Sequence, residues 1–172
     1  MSLHRGCTCR SREHPPPGPY SGPVDSADEM SARERNQFMI TRIRSAEAPD
    51  PYREGGYVLR VLTVSGRVTG QPRSWPIAVV RSRGQRYLCA PNRRRDWVRN
   101  LLAAGWCTVE GDDPARQTAT LAEDDDAAGA VAAYLGALGR ASTEWPFPSD
   151  AAASTIRKHL SEIAVFRLTP EG

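Results

Sequence analysis

The residues best suited to chemistry lie between Ser65 and Trp97. In Ser65-Gly-Arg-Val-Thr-Gly-Gln-Pro-Arg73, Gly66 and Gly70 loosen the backbone while Arg67 and Arg73 bring two guanidinium groups to one turn. Glycines let successive amide N–H groups converge on an anion, and arginine pairs with phosphate or carboxylate through two parallel bonds. The turn is therefore expected to hold a phosphate. A second basic cluster follows at Pro91-Asn-Arg-Arg-Arg95, where Asn92, Arg93, Arg94 and Arg95 run into a helix expected to open at Asp96 and Trp97. The start of a helix carries partial positive charge and unpaired N–H groups, so these arginines stand beside another natural anion site. Nothing points to hydrolysis. His4 and His14 fall near the beginning of the chain and His159 stands alone, so no Ser-His-Asp set can be assembled. The glycine turn lacks the lysine of a Walker loop, and no glycine-rich dinucleotide fingerprint opens a helix.

The elements that must position these residues are mostly strands. Tyr57-Val-Leu-Arg-Val-Leu-Thr-Val64 is a β-rich run bounded by Gly55-Gly56 and Ser65-Gly66 and reads as a buried strand. Pro72 to Arg81 is its expected antiparallel partner, Ser82-Arg-Gly84 closes a second hairpin, and Gln85 to Ala90 gives a third strand. Gly105 stops the helix begun at Asp96. Trp106 to Glu110 and Ala115 to Leu121 form a hairpin across Gly111-Asp-Asp-Pro114. Helices are expected from Ala27 towards Ser45 (capped by Ser26, with Phe38, Met39, Ile40 and Ile43 on its apolar face), from the acidic run Glu123 to Asp126 to about Leu138, and from Ser149 to His159. The last strand, Ile163 to Leu168, is expected to return to the sheet. Strands in the middle with helices before, between and after make this an α+β fold, an antiparallel barrel rather than a doubly wound sheet.

Of the 172 residues, 1–25 are rich in Pro, Ser and Gly and are read as a disordered tail, leaving 26–172 as one domain with an N-terminal helix. His4, Cys7, Cys9 and His14 lack the spacing of a zinc knuckle, so no metal is expected. The net charge of +3 is too weak to favour nucleic acid, and stacking aromatics are not interleaved with the arginines. Cys7, Cys9, Cys89 and Cys107 form no disulfide framework, no signal peptide is recognisable, and no apolar run approaches the ~18 residues of a membrane span. A reduced, cytoplasmic protein is expected, with peripheral contact at a membrane surface left open by the arginines of the first helix. It would act as a monomer or homodimer.

Leu62-Thr-Val-Ser-Gly-Arg-Val-Thr-Gly-Gln-Pro-Arg-Ser-Trp-Pro76, Tyr87-Leu-Cys-Ala-Pro-Asn92, Asp96-Trp-Val-Arg-Asn-Leu101 and Val165-Phe-Arg-Leu-Thr-Pro170 together resemble the deazaflavin-dependent nitroreductase and quinone reductase family. The resemblance runs from about Tyr57 to Pro170. It implies a split β-barrel that binds coenzyme F-420 and passes a hydride from it to a quinone, nitro compound or similar electron-poor acceptor. Arg67 and Arg73 match the turn residues that grip the coenzyme's phosphate and acidic tail, within a segment that also includes Ser65, Gly66, Val68 and Gly70. Pro76 matches a ring contact, and Asn92 and Trp97, with Arg93 to Asp96 between them, match the loop and helix start that complete the cleft. Val68 departs from the lysine usual in the family. Trp145 and Phe147 are candidate walls for the acceptor, and Tyr134 or Ser74 candidate proton donors, with solvent as the alternative. Other readings are an FMN-binding reductase of the same barrel type, a non-catalytic cofactor-binding module, and a structural role in which Arg67 is a solvated turn residue and Trp97 a core plug.

Overall fold

The computed structural model describes residues 30–171. The expected tail, with His4, Cys7, Cys9 and His14, and the helix start expected at Ser26 and Ala27 lie outside them.

Six strands, β1 (Tyr57–Ser65), β2 (Pro72–Ser82), β3 (Gln85–Ala90), β4 (Trp106–Val109), β5 (Arg116–Leu121) and β6 (Ala164–Pro170), close into a barrel in the order β1-β2-β3-β6-β5-β4. Every pairing is antiparallel. The chain reverses between β2 and β3 at Arg83 and Gly84, whose φ values of 52° and 75° give the twist a two-residue hairpin needs. The most C-terminal strand is inserted between β3 and β5, and the barrel is sealed where Leu62 and Thr63 meet Val109 and Thr108.

Alternation along the strands divides the apolar side chains between two cores. Leu62, Val64, Val79, Leu88, Phe166 and Leu168 share one buried cluster with Trp97, Val98 and Leu101 of α2 (Asp96–Ala104), so that helix packs into the barrel's own core. Val80, Tyr87 and Val165 point the other way, into a cluster with α3 (Asp125–Leu138), Ile156 of α4 (Ala153–Arg157), Trp145 and Phe147.

The first helix, α1 (Ala32–Arg44), is capped by Ser31, whose hydroxyl accepts from the Glu34 amide at 3.3 Å while Glu34 accepts from the Ser31 amide at 2.7 Å. This reciprocal box fixes its start. Ile40 is buried with Met39 and Ile43 half-buried beside it, but Phe38 is 59% exposed, against its expected place on the core face. Two residues along a helix rotate the side chain by ~200°, which carries Phe38 away from Ile40. The late helix is also shorter than the expected span of Ser149 to His159. Ala152 is extended (φ −64°, ψ 151°), and the segment before it is held by the Ser149 hydroxyl accepting from the Ser142 amide at 2.9 Å.

The acidic run before α3 is divided among arginines. Asp124 caps α3 by accepting from the Ala127 amide at 2.9 Å and also pairs with Arg167 at 2.7 Å; Asp125 pairs with Arg157, Asp126 with Arg83 and Glu123 with Arg93. Among the described residues no three acidic, His or Cys side chains are grouped to hold a metal. A different charge cluster lies inside. Asp112, in the turn between β4 and β5, accepts from the Tyr52 hydroxyl at 2.7 Å and from Arg86 of β3, with Arg60 Nε of β1 at 3.6 Å; Arg86 also donates to Gln117 of β5 at 2.9 Å. The Asp112 side chain is 1% exposed and that of Arg60 5%, so the cluster ties three non-neighbouring strands through a nearly dry interior.

Candidate functional site

The expected phosphate turn is the six-residue link 66–71 between β1 and β2. Its glycines are required by geometry. Gly70 sits at φ 70°, and a Cβ on Gly66 would lie 3.1 Å from the Gln71 carbonyl oxygen. The expected display of free amides is not what forms, however. The Gly66 amide donates to Gln71 O at 2.9 Å, Gly70 to Gly66 O at 2.7 Å, Gln71 to Thr69 Oγ1 at 3.3 Å and Arg67 to Asn100 Oδ1 at 3.2 Å. Four of the six amides of the link are thus spent within the turn or on Asn100, so recognition of an anion falls mainly to the guanidinium groups.

These groups differ. Arg67 is held in place, its Nη1 donating to Asn100 Oδ1 at 3.1 Å and lying 3.4 Å from Asp96 Oδ1. Asp96 and Asn100 are one helical turn apart on α2, so one face of the helix grips the turn. Arg73 makes no ion pair or side-chain hydrogen bond among the described residues, and it borders two clefts. One, about 210 Å³, is lined by Gly66, Arg67, Val68, Thr69, Arg73, Asp96 and Asn100. The other, about 570 Å³, lies between α1 and β2 and adds Arg33, Asn36, Ser74 and Trp75. Ser65 ends β1 beside this turn, paired with Pro72, and Val68 is 84% exposed at the turn's outer end. Asn100, 3% exposed, had no assigned role in the sequence; its only signal was the Asp-Trp-X-X-Asn spacing.

The neighbouring residues of α2 face a third cleft. Arg95 and Trp97, flanking Asp96, line a space of about 670 Å³ with Pro76 and Ile77 of β2, Tyr57 and Leu59 of β1, and Tyr134, Leu138, Arg140, Glu144 and Trp145 beyond α3. Its charged lining residues are Arg95, Arg140 and Glu144, Ser142 and Thr143 add hydroxyls, and the remaining walls are apolar or aromatic. Its volume falls in the range of ~300–1,000 Å³ typical of small-molecule sites. Tyr134 is stacked edge-on against Tyr57 at 5.4 Å and lies 6.3 Å from Trp145. Burial raises the Tyr134 phenol above its ordinary range, reinforced by Cys89 and Tyr57 and opposed by Arg140 and Arg95. Burial likewise pushes the Cys89 thiol up to about 12, so it stays protonated at neutral pH.

Several sequence candidates fall elsewhere. Phe147 stands behind Trp145 at 5.7 Å, 6% exposed, and supports that wall from the outer core. Ser74 bonds Thr63 across the β1–β2 ladder at 2.7 Å and borders the α1 cleft, apart from Tyr134. Arg93 donates to the carbonyl oxygens of Ile163 at 2.8 Å and Leu160 at 2.9 Å and pairs with Glu123, pinning the approach to β6. Asn92 accepts from the Arg94 amide at 3.0 Å, and both border a separate cleft of about 420 Å³ with Arg93 and Trp145. The start of α2 has no side-chain cap, which leaves its first amides open as expected for an anion-tolerant helix end.

A phosphorylated, acid-tailed deazaflavin fits these residues. Arg73, without an ion pair among the described residues, and the anchored Arg67 suit its anionic part, and the cleft with aromatic walls across the first turn of α2 suits a flat ring. No curated protein matches the chain. A solved structure titled "Structure of heme binding protein from Mycobacterium smegmatis" is similar at 21% identity with a TM-score of 0.41, covering 64% of this chain and 45% of that one. The chain thus spans less than half the length of that protein. The family model described as F420H(2)-dependent quinone reductase matches residues 34–141, a stretch that takes in most of α1, the glycine-arginine turn, both faces of α2 and all of α3. The chain belongs to the F420H(2)-dependent quinone reductase family, with coenzyme F-420 as its cofactor.

Proposed function

We propose that the protein reduces quinones, and other flat electron-poor acceptors such as nitro compounds, in the cleft of about 670 Å³, with the coenzyme held from the glycine-arginine turn across the start of α2. The observation that carries this is the division of labour on α2. Asp96 and Asn100 organise a basic turn on one side, while Arg95 and Trp97 face a cleft with aromatic and aliphatic walls on the other. A reduced deazaflavin bound there supplies a hydride.

The chain's own residues orient, exclude water and hold a proton. Arg67, pre-set by Asn100, grips the anionic end without having to be reorganised, and Arg73, with no ion pair or side-chain hydrogen bond among the described residues, has its donors available for the same group. Pro76 and Trp97 form walls that a planar ring can lie against, and Trp145, backed by Phe147, gives the acceptor a wall on the far side. Tyr134 holds the proton that a reduced acceptor needs at its oxygen. Its raised pKa keeps it in the donor form at neutral pH. Free thiols at Cys89 and Cys107 fit a reducing, cytoplasmic setting.

The test is a coenzyme titration followed by turnover. Coenzyme F-420 is expected to bind tightly and FMN, NAD and NADP weakly, and the reduced coenzyme is expected to be oxidised by a simple quinone. FMN binding as tight as F-420, or tight F-420 binding without quinone turnover, would overturn the reading in favour of a flavin reductase or a carrier respectively.

A further inference from the structure

We infer that the acceptor cleft selects substrates carrying an ionised acid group, and that Arg140 selects them. The inference rests on the reading that this cleft receives the acceptor. Only three of its lining residues are charged: Arg95, Arg140 and Glu144. Arg95 Nη2 donates to Glu144 Oε1 at 2.9 Å, so those two largely cancel. Arg140 is left over. It follows Gly139, whose φ of 65° turns the chain sharply as it leaves α3, and it makes no ion pair or side-chain hydrogen bond among the described residues. Among the described residues the lining therefore carries one uncompensated positive charge, beside the hydroxyls of Ser142 and Thr143 and walls that include Leu59, Ile77, Leu138 and aromatic rings.

Arg140 and Tyr134, the proposed proton donor, line the same cleft, and the charges of Arg140 and Arg95 oppose the effect of burial on the Tyr134 phenol. Low-dielectric walls concentrate the field of such a charge on whatever enters. A neutral quinone makes no use of it. An acceptor with an acid side chain, its ring against Trp145 and its carboxylate towards the rim, pairs with Arg140 while the ring stays in apolar contact. The coenzyme's own anionic groups have separate cations, Arg67 and Arg73, across the first turn of α2.

The experiment compares a naphthoquinone bearing a propionate side chain with its methyl ester, because the intervening methylenes leave the ring's electron demand nearly unchanged. Binding to the coenzyme-free protein is read by quenching of tryptophan fluorescence, and kcat/KM is read with reduced coenzyme. The acid is expected to bind and react about three to five times better than the ester, the scale of an exposed ion pair. The preference should shrink at high salt, vanish in Arg140→Gln and reverse in Arg140→Glu. An ester reduced as well as the acid by the unaltered protein overturns the inference while leaving quinone reduction intact. A coenzyme Kd raised in Arg140→Gln in step with the lost preference also overturns it, since Arg140 would then serve the coenzyme. If neither compound is bound or reduced while coenzyme binding persists, both the inference and the placement of the acceptor fail.

Discussion

Arg67 and Arg73 look alike in the sequence, yet their surroundings give them different consequences when removed. Arg73→Ala should weaken coenzyme binding by about 1–3 kcal/mol, the range for a charge-assisted hydrogen bond, without changing the urea midpoint, because it has no ion pair or side-chain hydrogen bond to lose among the described residues. Arg67→Ala should lose similar affinity and also destabilise the fold by about 1 kcal/mol, because the buried Asn100 Oδ1 loses the guanidinium donor and keeps only the residue-67 amide. Binding isotherms and urea melts on both variants separate the two. Tyr134→Phe removes the proposed proton donor and should lower kcat with little change in KM, by ~10²-fold if solvent cannot replace it. Because burial raises the Tyr134 pKa, the unaltered enzyme should hold its kcat from neutral pH up to the ordinary phenol range, and lose it only above that range as the donor deprotonates. A decline already near pH 7 would place the proton elsewhere. At this scale the sequence revealed residue types and motif spacing but not commitments. Arg93 read as one of three equivalent loop cations, and only the fold shows its donors spent on Ile163, Leu160 and Glu123.

Among the elements, the strands were legible because glycine, proline and turn residues punctuate them and because their apolar residues alternate. Gln85–Ala90 was read to the residue. The helices were legible where a stop signal is local, as with Gly105 in the left-handed conformation at φ 72° after α2. They were misread where only tertiary contact decides. Phe38 turns away from the core face of α1, and of the residues before α4 Ser149 and Asp150 lie in a turn tied to Ser142 while Ala152 is extended. Asp124 shows how one acid serves an element. The Ala127 amide first, and Arg167 second, hold its carboxyl below the usual range. A depressed folded pKa contributes stability that is present above the unfolded value near ~4 and is lost as pH falls through the folded one. Asp124→Ala should therefore cost about 1 kcal/mol at pH 7 and little at strongly acid pH, measured as the difference in urea unfolding from the parent protein at each pH. An equal deficit at both pH values would mean that the loss is one of packing.

For the molecule as a whole, closure depends on pairings between strands far apart in sequence, and no local signal specifies them. The run Tyr57 to Val64 reads as a buried strand, and nothing local marks Arg60, the one charge in it, as a member of the interior cluster on Asp112. Asp112→Asn would leave Arg60 and Arg86 buried without their shared anion and should destabilise the barrel by about 3–5 kcal/mol, detectable as a large drop in thermal midpoint. The strand order carries a further consequence for biosynthesis. A ribosome delivers β1 to β5 well before β6, and until Ala164–Pro170 emerges, β3 and β5 each present a bare hydrogen-bonding edge towards the gap that β6 will fill. Between the emergence of β5 and that of β6 the nascent chain is thus an open sheet, the state in which a neighbouring chain on the same messenger can pair with it. Ending the chain after Ile163 should trap that state as aggregated protein, and adding β6 back as a separate peptide during refolding should recover soluble barrel. Soluble, coenzyme-binding protein from the truncated chain alone would show that the gap closes without it.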